Sequence, residues 1–134
     1  MKYLFCTRCW SEISSTTAIC PQCGDDVVAR KRRDDYVDTL ITALRNPDPA
    51  VAVRAAWLLG ERRESKGVVG LCRLVRESTD ALAVESGLDA LAKIGDSRAA
   101  ATIRWAASHV NSQVRASAAR AVALTIFCDR QQSS

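Results

Sequence analysis

Six cysteines are the residues in this 134-residue chain with the clearest chemistry, and four of them fall into two pairs, Cys6-Thr7-Arg8-Cys9 and Cys20-Pro21-Gln22-Cys23. A C-x2-C turn lets two thiolates approach one ion from a single tight knuckle, and two such knuckles complete a tetrahedron. Cys6, Cys9, Cys20 and Cys23 are therefore the expected metal ligands. All four positions are sulfur, so no coordination position stays open for water or substrate, and the ion is expected to be structural. Zinc is the expected metal, one ion per chain; a rubredoxin-like iron site would use the same ligands. A redox dithiol pair is the other reading of these cysteines, but the βαβ pattern that accompanies thioredoxin-like chemistry is absent. Gly24 follows the second knuckle, where a positive φ suits glycine; Trp10 holds the equivalent place after the first.

The remaining reactive side chains are isolated. His109, the sole histidine, sits near an expected helix end with no nucleophile or carboxylate to pair with. Cys72 falls among helical residues and reads as a small buried hydrophobe, while Cys128 lacks a cation that would activate it. No catalytic residue is assigned, and the chain is expected not to be an enzyme. Arg30-Lys31-Arg32-Arg33 is a run of four cations. Its plainer reading is a solvated connector; the alternative is a nucleic-acid contact through phosphate.

The cysteine segment resembles the short zinc ribbons found at the ends of many bacterial proteins, over about residues 3–26. Such a segment cannot build its own core, so metal binding must supply folding energy of order 10 kcal/mol. Tyr3, Phe5, Trp10, Ile13 and Ile19 are expected to cluster around it.

Beyond the ribbon the chain is repetitive. Val51 to Gly60, Ala83 to Ala92 and Val114 to Ala123 align at spacings of 32 and 31 residues, each preceded by an apolar helical segment. Asp34 or Asp35, Asp48 with Pro49, Ser65, Asp80, Gly95 with Asp96, and Ser112 punctuate the pattern. Six helices of about 10–14 residues in three antiparallel pairs are expected. Leu44-Arg45-Asn46-Pro47-Asp48-Pro49-Ala50-Val51, Ala90-Leu91-Ala92-Lys93-Ile94-Gly95-Asp96 and Val114-Arg115 with Ala118-Ala119 resemble the HEAT family. More narrowly, they resemble the bacterial HEAT-like repeats also present in phycobilisome lyases. The chain departs from that pattern at Ala52 and Val84, where the family carries Arg, and at Glu61 to Glu64, which replace an Ile-Gly-Asp ending. The resemblance implies a mainly α fold, a short HEAT-like solenoid of three hairpins with a small N-terminal zinc ribbon. The boundaries are a ribbon over 1–28, a basic and acidic linker over 29–35, repeats over 36–64, 65–95 and 96–127, and a polar tail over 128–134.

Ala55, Ala56, Gly87, Ala90, Ala118 and Ala121 allow close helix approach. Leu40, Leu44, Leu59, Leu71, Val75, Leu91, Ile103 and Val122 fill the core. Trp57 projects beside Arg54 and Glu61, and its counterparts are Asp89 and Arg120. With Lys93, these form a ladder that would line a concave protein-binding face; the other reading covers Trp57 with the ribbon or linker. Leu124 and Phe127 have no fourth repeat above them and mark a candidate end for self-association as a homodimer, or for a partner.

Charge is modest. The formal +4 falls to about +2 once four thiolates hold a divalent ion, and residues 34–134 are nearly balanced. That is not the footprint of a dedicated nucleic-acid binder. No secretion signal or membrane span is visible, so a cytoplasmic location with reduced thiols is expected. The expected function is a non-catalytic protein-interaction adaptor with a structural zinc site and a protein partner. The alternatives are a nucleic-acid-associated factor using ribbon and basic run, and an accessory of phycobilin-lyase-like or other enzymes.

Overall fold

The computed structural model describes residues 3–32, 35–109 and 112–132, with residues 3–4 and 123–132 described through their backbone only. The chain is mainly helical. Two short strands, β1 (Tyr3–Phe5) and β2 (Glu12–Ser14), pair antiparallel with Leu4 opposite Ile13. Seven helices come after them among the described residues: α1 (Val27–Arg32), α2 (Tyr36–Ala43), α3 (Pro49–Glu61), α4 (Val68–Glu77), α5 (Ala81–Ile94), α6 (Ala100–Ala106) and α7 (Ser112–Gln132).

Helix α2 packs on α3, α4 on α5 and α6 on α7, while α3, α5 and α7 lie side by side. Three hairpins thus stack through their second helices, as the repeat spacing implies. Small side chains permit this. Gly60 meets the backbone of Ala90 so closely that a Cβ there would lie 2.9 Å from the Ala90 Cα. Leu40, Leu58, Leu59, Leu71, Leu88 and Leu91 are fully buried between the layers. Burying side chains of this size stabilises by about 1.5–3 kcal/mol each.

Three of the punctuation aspartates cap as expected, whereas Asp35 precedes α2 without a side-chain cap hydrogen bond. Asp48 accepts a hydrogen bond from the Ala50 amide, with Pro49 in the first turn; Asp80 accepts from Ala83, and Asp96 from Arg98. Each satisfies an amide the helix start leaves unpaired. Gly95 ends α5 in the left-handed region at φ 71°. Thirty-two residues earlier, Arg63 takes the same place after α3 at φ 50°. The turn there closes with Arg63 N–H to the Gly60 carbonyl and Glu64 N–H to the Leu59 carbonyl, a Schellman ending. It is made with a side chain where glycine would be unstrained.

Four expectations need correction. The segment expected to be a linker from residue 29 is largely helix α1, held at its start by Asp26, whose carboxylate accepts from the Ala29 amide. The helices are less even than expected: α2 and α6 have 8 and 7 residues, and α4 and α6 are entered through 3-10 turns at Ser65–Gly67 and Ser97–Ala99. The tail assigned from residue 128 continues α7 as far as Gln132. Ile19, expected in the ribbon cluster, is 54% exposed, because its backbone bridges Asp26 and turns the side chain outward. No helix among the described residues is long and apolar enough to cross a membrane.

Candidate metal centre

The two cysteine knuckles are the same local structure made twice. In the first, the Trp10 amide donates to the Cys6 carbonyl (2.7 Å) and the Cys6 amide to the Ser11 carbonyl (3.0 Å). In the second, the Gly24 amide donates to Cys20 (2.9 Å) and the Cys20 amide to Asp25 (2.9 Å). Each knuckle closes through a residue at positive φ, Trp10 at 62° and Gly24 at 76°. The first therefore carries a backbone cost that glycine would avoid, of order 1 kcal/mol.

Pairing of β1 with β2 and the Ile19–Asp26 bridge bring the knuckles face to face. The sulfurs of Cys6 and Cys23 lie 3.6 Å apart, as do those of Cys9 and Cys20, and all four fall within 4.8 Å of one another. A tetrahedral ion with sulfur ligands at about 2.3 Å would set sulfur–sulfur edges of about 3.8 Å. None of the four is in a disulfide. The cluster has the ligand set and size to hold one metal ion, with Cys6 and Cys20 buried and Cys9 exposed.

Electrostatics at the cluster differ from thiol to thiol. The Ser11 hydroxyl and amide hold Cys9 down at about 6. Burial pushes Cys6 up. At Cys23 a hydrogen bond from the Asp25 amide opposes desolvation and three neighbouring thiols, which together push it up to about 12. Four sulfurs this close resist joint ionisation in the absence of a cation, and a bound divalent ion removes that penalty.

Two residues outside the cysteine pattern brace the site. Arg30 of α1 grips the Asp25 carboxylate bidentately, Nε to Oδ2 at 2.5 Å and Nη2 to Oδ1 at 2.9 Å. This pins α1 to the second knuckle. The sequence signal was Asp25-Asp26 directly after Gly24: one acid pairs with Arg30 and the next caps α1. Of the four-cation run, Arg30 is thus engaged by Asp25. Lys31 is half-buried and Arg32 exposed, and Arg33 lies outside the described residues.

The proposed ladder divides in two. Arg54 lies with its guanidinium 5.1 Å from the centre of the Phe5 ring and donates to the Trp10 carbonyl. Phe5 meets Trp57 edge-on at 5.6 Å. Of the two readings of Trp57, the structure favours cover by the ribbon: Arg54 and Trp57 fasten the cysteine ribbon to α3. Farther along, Lys93 of α5 pairs with Glu61 of α3, and Asp89 feels both Lys93 and Arg120 of α7. Desolvation raises Asp89 above the ordinary carboxylate range, against the pull of those two cations. These four charges cross the second helices of all three hairpins.

His109 lies edge-on to Trp105 at 5.7 Å, and Cys72 is partly buried against the core. Neither joins the thiol cluster among the described residues. The side chains of Leu124, Phe127 and Cys128 lie outside the described residues.

No protein-family model matches the chain, and no curated protein does.

Proposed function

We propose that this protein is a non-catalytic interaction module in which a structural zinc ion holds a ribbon onto the head of a HEAT-like stack. The observation that carries this reading is the closed four-sulfur cluster clamped to α3 through Phe5, Trp10, Arg54 and Trp57. A solenoid end must be covered, and a metal-stabilised cap does so for the first hairpin. The four free thiols suit a reducing compartment such as the cytoplasm.

The partner surface is the charged face of α3, α5 and α7 with Glu61, Asp89, Lys93 and Arg120. Mixed charges there favour a protein with complementary mixed charges, which sets register and specificity more than raw affinity. Protein purified under reducing conditions without chelator should be colourless and contain one zinc ion; a visible iron chromophore would replace zinc with iron. A protein captured through the ladder should be lost with Asp89→Lys or Arg120→Glu and kept with Arg104→Glu on α6. Capture indifferent to the ladder variants would remove the proposed face.

A further inference from the structure

The four-cation run of the sequence is not one surface in the fold. Arg30 turns back to Asp25, whereas Lys31 and Arg32 continue along α1. Lys31 lines a shallow crevice together with Tyr36, the first residue of α2. The Arg62 guanidinium lies 5.0 Å from the centre of that same Tyr36 ring. The fold thus brings cations from α1 and from the end of α3, about thirty positions apart in the chain, to the neighbourhood of one aromatic residue. Desolvation, and after it the charge of Arg62, depresses the lysine's affinity for its proton. Lys31, Arg32, Arg62 and Arg63 have no carboxylate in an ion pair with them among the described residues.

Arg63 adds a second observation. The matching position after α5 is Gly95, which serves the left-handed turn without strain. In the first hairpin the same turn is made by arginine at φ 50°, so the turn itself does not account for the side chain. It places a further exposed guanidinium directly beside Arg62. The departure of Glu61 to Glu64 from the Ile-Gly-Asp ending is what creates this feature.

We propose that Lys31, Arg32, Arg62 and Arg63 form a contact site for the phosphodiester backbone of a nucleic acid, assembled where α1 meets the end of α3. Three of the four are arginines, whose planar forked donors match phosphate oxygens, and Arg62 is steadied by the Tyr36 ring. A lipid surface would need apolar side chains gathered beside the cations. Among the described residues the large exposed ones, Ile19, Val28, Val69, Leu82 and Trp105, come from five different segments, and only Val28 shares a helix with the cations. The site contacts backbone and not base edges, so it is indifferent to sequence. It stands independently of the protein-binding face, which lies on other residues.

The test uses the full-length, metal-loaded protein and a fluorescein-labelled DNA duplex of about 20 base pairs and arbitrary sequence, titrated at several salt concentrations. Three to four phosphate contacts give a slope of log affinity on log salt of about −2.7 to −3.6, so affinity falls roughly 40- to 150-fold between 50 and 200 mM salt. Arg62→Glu and Lys31→Glu should each weaken binding at least tenfold and flatten that slope. Arg104→Glu on α6, with the same change in net charge, should stay within about twofold of the parent. Arg32→Gln and Arg62→Gln provide milder losses should a charge reversal disturb folding, which circular dichroism melting will show. The site is overturned by equal losses from Arg104→Glu and Arg62→Glu, or by the absence of salt-dependent binding. It is also overturned by preferential binding to vesicles of anionic phospholipid, or to a polyglutamate peptide, over the duplex.

Discussion

The ribbon and the helical stack solve the same problem with different means. In the stack, six leucines and a row of alanines are fully buried, and two helices touch backbone to backbone at Gly60 and Ala90. In the ribbon, the buried residues before α1 among the described ones are Cys6, Thr7, Ile13 and Cys20, two of them thiols of the cluster. Two strands of three residues add little. An isolated hairpin of that size is marginal in water. The stack's stability therefore lies in apolar packing, and the proposed function assigns the ribbon's to an ion. The clamp of Phe5, Arg54 and Trp57 is where the two regions meet, and under the proposed function it lets the ribbon cover α3 only while an ion is bound.

The largest expected effect separates them. Cys20→Ser should abolish stoichiometric metal binding, a loss of order 10 kcal/mol to ribbon folding, while most of the helical circular dichroism signal survives. Simultaneous collapse of helical signal would show that the stack has no core of its own. Next in size, Leu59→Ala should cost the stack about 2–5 kcal/mol in chemical denaturation and leave metal content unchanged. Loss of the ion in that variant would mean that the two regions fold as one unit.

Smaller effects probe the junction. A double-mutant cycle between Phe5→Ala and Trp57→Ala should give a coupling of about 0.5–1.5 kcal/mol for the edge-on ring pair, present with metal and absent after chelation. Coupling that persists after chelation would mean the clamp does not need the ion. The smallest change is Arg63→Gly, which should raise stability by about 0.5–1 kcal/mol by relieving the left-handed strain. A melting temperature that falls would show that the arginine side chain contributes more than its backbone costs.

The four-thiol cluster was legible because ligand chemistry is local: two C-x2-C pairs declare themselves without reference to the rest of the chain. Helix starts at Asp48, Asp80 and Asp96 and the stop at Gly95 were legible for the same reason, since capping depends on a few adjacent residues. Helix α1 was not, because its second half read as part of a charge run, and what holds it is the Asp26 cap plus a pairing of Arg30 with Asp25. The sequence permits two readings of Trp57, and only contact with Phe5, distant in the chain, decides between them. The approach of Lys31 to Arg62 left no trace in spacing at all. It arises because α1 and the end of α3 both meet Tyr36, which is a tertiary fact.

The central claim is that an ion holds the ribbon while apolar packing holds the stack, and amide hydrogen exchange tests it most directly. With metal bound, the amides of Cys6, Trp10, Cys20 and Gly24, all hydrogen-bonded within the knuckles, should be protected, as should the interiors of α3 and α5. After removal of the metal under reducing conditions, the knuckle amides should exchange at close to unprotected rates while α3 and α5 keep their protection. Protection lost everywhere at once, or retained in the knuckles, would contradict the account.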